Sequence, residues 1–170
     1  MKKTMVLILG ITLLGIHMNA QNETKSIEEL ALGYMAAYSE WNPQKMGTYY
    51  EDSVQFKDPT ALEVFGPKFN VKGKDKLVEL MAGIFPDGPP EYVNFAVKEY
   101  FVSGTYAVVN STFELVLPKQ WYGEAADGEI FVSVPITTIL RFKDGKLVSH
   151  QDYVDYNNYQ KQIKLQLKEG

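Results

Sequence analysis

Cysteine is absent from the 170 residues. That excludes a disulfide framework, a thiolate zinc site, a cysteine nucleophile and a lipid anchor attached through sulfur. Histidine is nearly absent: of two, His17 lies in an N-terminal leader, so a site needing two histidines is excluded from what remains. Arginine occurs only at Arg141. With 17 Lys+Arg against 21 Asp+Glu, a formal charge of −4, there is no basic stripe to neutralise phosphates, and nucleic acid is not an expected partner. What is present is a chain with 45% hydrophobic and 13% aromatic residues, of a length suited to one soluble globular domain. Its chemistry must come from carboxylates, hydroxyls and one imidazole.

Residues 1–20 read as a secretory signal. Lys2 and Lys3 supply a positive start, Met5 to Ile16 an apolar run, and Met18-Asn19-Ala20 a small-residue end. The run is shorter than the ~20 residues that span a bilayer. The other reading of the same pattern is an uncleaved membrane anchor. Cleavage after Ala20 leaves 15 of the 17 cations against 21 anions, a formal charge of −6. The expected product, residues 21–170, is secreted or periplasmic, with no stable membrane anchor after the signal is removed.

Helical spacing of Ile27, Leu30, Ala31, Tyr34, Met35 and Tyr38, after a Ser26/Glu29 capping box, predicts a helix over Glu28 to Tyr38. Pro43 opens a short second helix whose Met46, Tyr49 and Tyr50 face inward. Ser53 to Asp58 reads as a short strand ending at Pro59, and Gly73 to Phe85 as a third helix. Four β-rich runs follow, Tyr92–Ser103, Thr105–Leu117, Ile130–Phe142 and Leu147–Tyr156, separated by turn signals. Helices first and an antiparallel meander second make an α+β layout. The tail from Asn157 fits both a strand and a helix.

This order resembles the nuclear transport factor 2-like superfamily, in its SnoaL-like and ketosteroid-isomerase-like branches. The likeness is carried by Tyr34-Met35-Ala36-Ala37-Tyr38, the segment from Tyr50 to Asp58-Pro59, Gly73, and Asp144-Gly145-Lys146-Leu147-Val148. It covers about residues 27–160 and implies an exported bacterial member: one domain with a cone-shaped fold, N-terminal helices packed on a curved antiparallel sheet. It also implies a homodimer formed through the open sheet. Asp58 falls on the isomerase's base and Tyr34 on its oxyanion tyrosine, while Thr138 stands where the isomerase has a protonated Asp. Asp152-Tyr153-Val154-Asp155 is similar to the final-strand motif of the limonene-epoxide-hydrolase branch, whose first Asp faces the pocket. That branch's neighbouring Arg has no counterpart, because Thr112-Phe113-Glu114 holds no Arg and Arg141 has the opposite parity from Thr138.

Strand alternation puts His150 and Asp152 on one face with Cα atoms ~7 Å apart. Such a pair can act as a base with its orienting partner or as half of a metal site, which only a distant Asp or Glu could complete. No metal and no cofactor is expected. Two functions remain open. As an enzyme, Asp58, Tyr34, His150, Asp152 and Thr138 converge on an apolar pocket for acid–base work on a small, largely apolar molecule, isomerase- or hydrolase-like. Trp41, Tyr49 and Phe56 suit the wall of such a pocket, and Glu114 joins if its face of the strand is concave. As a non-catalytic module, the domain holds a ligand or pairs through its sheet, Tyr34 simply packs, and Asp58 caps a turn.

Overall fold

A computed structural model describes residues 25–85, 87–123 and 128–168. The expected signal, residues 1–20, lies outside them. Helix α1 (Ile27–Ser39) starts at the capping box: Ser26 Oγ accepts from Glu29 N at 3.1 Å, and Ser26 N donates to Glu29 Oε2 at 2.7 Å. Its buried stripe includes Tyr34 and Tyr38, one turn apart. Helix α2 (Pro43–Gly47) has proline at its first position and Asn42 as its cap.

Strand β1 (Tyr50–Lys57) begins earlier than the residue pattern predicts, with an irregular register between Tyr50 and Gln55. Between it and the expected third helix lie three elements that the pattern passes over. Asp58 caps a helix α3 (Pro59–Phe65), a 3₁₀ turn covers Pro67–Phe69, and strand β2 (Asn70–Lys72) pairs back on β1. Helix α4 (Lys74–Ala82) buries Leu77 and Met81. The meander is β3 (Tyr92–Ser103), β4 (Tyr106–Pro118), β5 (Glu129–Lys143) and β6 (Lys146–Val154). Asp144 and Gly145 both have positive φ, 50° and 74°, which a two-residue turn needs to match strand twist. The tail forms helix α5 (Tyr156–Lys168).

The six strands lie in the order β2-β1-β6-β5-β4-β3, with β1 parallel to β6 and every other pair antiparallel. α1 lies over β3 and β4, and α5 runs along β5. Alternation sorts β4, β5 and the second half of β6, whereas β3 shifts register between Val97 and Glu99. Val109, Phe113, Leu115 and Leu117 of β4, Val132 to Leu140 at even positions of β5, and His150, Asp152 and Val154 of β6 are buried. The fold is the expected α+β cone of helices on a curved sheet.

Candidate functional site

The helices and the inner face of the sheet surround a cavity of about 220 Å³. Its wall is a set of near-parallel rings. Tyr38 stacks on Phe95 at a centroid distance of 4.0 Å, Phe95 on Phe113 at 4.6 Å, and Trp41 on Tyr38 at 5.5 Å. Trp41 reaches this stack from a positive φ of 44°, a strained conformation for a bulky residue. Trp41 Nε1 donates to the Met81 carbonyl at 3.2 Å, which fixes the ring. Trp121 stacks on Phe85 at 5.7 Å nearer the rim, and its Nε1 donates to Asp87 at 3.0 Å.

Two carboxylates line this aromatic space, Asp58 and Asp152. Asp152 is 1% exposed, so its charge has lost most of its hydration and must be compensated locally. Thr138 Oγ1 donates to Oδ1 at 2.6 Å and the Tyr38 hydroxyl to Oδ2 at 2.9 Å. His150 Nε2 lies 3.0 Å from Oδ2, but its N–H is not aligned for a hydrogen bond, so the contact is electrostatic. A lone pair at Nε2 would repel the carboxylate, which assigns the proton to that nitrogen. With that proton at Nε2, Nδ1 can accept from the Tyr34 hydroxyl at 2.8 Å, and Tyr34 can accept in turn from Tyr50 at 3.0 Å. Burial pushes the Tyr34 and Tyr38 hydroxyls far above the usual phenol value, so both stay protonated.

Asp58 serves two purposes at once. Oδ1 accepts from Ala61 N at 2.8 Å and Thr60 Oγ1 at 2.6 Å, as the cap of α3, while Oδ2 accepts from the Tyr156 hydroxyl at 3.1 Å. Burial raises its pKa, the hydrogen bonds oppose that, and the charge of Asp152 adds to the rise.

The residues singled out in the sequence divide into three groups. Asp58, Asp152, Trp41 and Phe56 line the cavity. Tyr34, His150 and Thr138 are fully buried and stand behind its wall, Thr138 against Asp152, His150 against Asp152, Tyr38 and Phe56, and Tyr34 against Tyr38. Tyr49 and Glu114 lie elsewhere. Tyr49 packs over Gly33, where a Cβ would come within 2.8 Å of its hydroxyl, and edge-on to Tyr34. Glu114 is on the outer face of β4, because the inward residues there are odd-numbered; it accepts from Tyr92 and Asn94. Tyr38 and Tyr156 were missed. Tyr38 carries a signal, since it follows Tyr34 by one helical turn on the same face. Tyr156 carries none: the pattern places it at the end of the final strand, whereas it opens helix α5. Among the described residues, no group of three or more His, Asp or Glu side chains is placed to hold a metal ion.

Helices over one side of a curved, largely antiparallel sheet, with a cavity between, define the nuclear transport factor 2-like class. Residues 31–150 match the SnoaL-like domain family, and the chain belongs to it. Solved structures agree in fold. A candidate SnoaL-like polyketide cyclase from Shewanella denitrificans OS-217 is 23% identical over 81% of this chain and 96% of its own, with a TM-score of 0.69. A similar one from Shewanella putrefaciens CN-32 is 20% identical over 84% and 99%, with a TM-score of 0.70. TerC, crystallised with polyporic acid, is 17% identical over 81% and 98%, with a TM-score of 0.65. No curated protein matches the chain.

Proposed function

We propose that this domain binds a small, flat, largely apolar molecule in its aromatic cavity and moves a proton on it, with Asp152 as the group that exchanges the proton. The observation that carries this reading is the meeting of two buried carboxylates from unrelated elements, the strand residue Asp152 and the helix cap Asp58, in one ring-lined space. Buried acids in a cavity that holds a ligand are the usual makings of general acid–base chemistry. His150 supports Asp152 from behind as a positioning residue. The ligand of TerC, polyporic acid, and the cyclase names of the Shewanella structures favour aromatic or polyketide-like compounds. At about 220 Å³ the cavity is below the ~300–1,000 Å³ of drug-sized sites, which favours one or two rings.

The test is calorimetric binding of one- and two-ring aromatic hydroxyketones, 2-hydroxyacetophenone first, followed by exchange of their carbon-bound hydrogen for deuterium by NMR. Acceleration by the wild-type protein that falls about 10²-fold or more in Asp152→Asn is the expected result. Binding without acceleration supports the non-catalytic ligand-binding module instead, and absence of binding rejects both.

The same reading includes export and self-pairing. The leader pattern of residues 1–20 supports cleavage after Ala20, checked by the intact mass of protein recovered outside the cytoplasm. The exposed outer face of the sheet supports a homodimer.

A further inference from the structure

Hydrogen-bond polarity within the cavity is one-sided. The Tyr38 hydroxyl gives its proton to Asp152, and the Tyr156 hydroxyl gives its proton to Asp58. Both phenols therefore offer only oxygen lone pairs to an incoming molecule. Burial holds both phenols protonated, Tyr156 further aided by the two carboxylates nearby. The indole N–H of Trp41 points at the Met81 carbonyl. Among the described residues, the remaining polar groups at the buried end are Asp58 and Asp152 themselves. Donors lie instead at the exposed rim. Lys68 sits there, beside the ring of Phe69, as does the Tyr122–Tyr159 pair, whose hydroxyls share one hydrogen bond at 3.3 Å.

A ligand carbonyl pushed to the buried end would meet lone pairs alone and lose its own hydration without replacement. A ligand carboxylate would in addition face two acids of its own sign. A hydroxyl or an ammonium group meets neither penalty.

Resting on the proposal that this cavity is a ligand site, we infer that its ligand enters with a hydrogen-bond donor leading: a hydroxyl or protonated amine directed at Asp152 and Asp58, carried on a one- or two-ring aromatic body. Carboxylates and ketones without a donor are disfavoured. The arrangement is the reverse of an oxyanion hole, which places donors where negative charge develops.

The experiment is isothermal titration of residues 21–170 at pH 7.5 with four matched probes: 1-naphthylmethylamine, 1-naphthylmethanol, 1-acetylnaphthalene and 1-naphthoate. The amine and the alcohol should bind about ten-fold or more tightly than the ketone, with naphthoate weakest, because the unpaired acceptors reject a ligand lacking the donor. Asp152→Asn and Asp58→Asn each place an amide donor at the buried end, and either should narrow the gap by improving the ketone. Should one variant fail to fold, the wild-type ranking decides alone. If the ketone or naphthoate binds as tightly as the alcohol, this inference is overturned while the ligand cavity stands. If none of the four binds, the ligand-site reading falls and this inference with it.

Discussion

Asp152 concentrates the chemistry of the molecule because three side chains from three elements were needed to bury it. Tyr38 comes from α1, Thr138 from β5 and His150 from its own strand. Removing one donor leaves a buried carboxylate oxygen under-satisfied. Tyr38→Phe and Thr138→Val should therefore each cost about 1–3 kcal/mol in urea denaturation, far more than the same changes on the surface. If either substitution is neutral, water entering from the cavity solvates this carboxylate in place of the lost donor. Asp58 makes a second, pH-dependent case. Its folded pKa is raised above the ordinary 3.8, chiefly by burial. The stability it contributes is thus fully present below the ordinary value and is lost as pH rises through the raised one. Asp58→Asn keeps an oxygen to cap α3 but does not titrate. The difference in unfolding free energy between wild type and Asp58→Asn should change across the mildly acidic range, favouring the wild type at the lower pH. A difference that is flat with pH would mean that Asp58 titrates alike in the folded and unfolded chains. Much of this was legible in the chain: alternation alone puts His150 and Asp152 on one face. Depth was not, because strand parity says which way a side chain points and nothing about which of two inward residues reaches an open space.

Helix α3 and helix α5 show where pattern reading stops. Asp58-Pro59 signals a strand end and a helix start equally well, and α3 buries only Ala61, so no apolar stripe existed to break the tie. For α5, Tyr159, Ile163 and Leu167 fit a helix while Ile163, Leu165 and Leu167 fit a strand. Long-range pairing decides it. β6 ends opposite Ile136, which leaves the first half of β5 with an open edge. Two glutamines one turn apart on α5 occupy that edge. Gln162 accepts from Ser133 N at 2.9 Å and donates to Ser133 O at 2.8 Å, and Gln166 does the same with Phe131 at 2.9 and 2.7 Å. Each amide acts as a one-residue strand segment. Only a helix spaces two such amides to meet alternate residues of β5 on a single side, while also presenting Tyr156 and Tyr159 to the cavity. Gln162→Ala together with Gln166→Ala should cost roughly 1–3 kcal/mol for the pair of lost amides. It should also speed hydrogen exchange at the amides of Phe131 and Ser133 while leaving the central β4–β5 amides protected. Unchanged exchange at those two positions would mean that solvent or the neighbouring chain already closes this edge.

The sheet has two faces with different fates. The inner one is buried under helices, whereas the outer one keeps Phe101 59% exposed and Phe131 52% exposed, with Tyr92 and Tyr106 also open. Register places these in two apolar clusters. Phe101 lies opposite Val108, and Val108 opposite Ile139; Tyr92 lies opposite Val116, and Val116 opposite Phe131. From Val108 to Val116 is about 27 Å along β4, with polar Asn110, Thr112 and Glu114 between them. Monomeric proteins seldom leave rows of large apolar side chains on a flat sheet uncovered, and a self-complementary two-fold pairing would cover both clusters at once. Sedimentation equilibrium of residues 21–170 should give a dimer, and Phe101→Glu with Phe131→Glu a folded monomer. Register sets both side chains on the outer face, Phe101 opposite Val108 beyond the shift in β3 and Phe131 opposite Val116, so the monomeric variant should bind the naphthalene probes as the wild type does. A wild-type protein that stays monomeric at high micromolar concentration removes this face as a self-interface. A variant that loses ligand together with its partner would instead show that pairing shapes the cavity through the sheet's curvature, since among the described residues no outer side chain of the sheet lines the cavity.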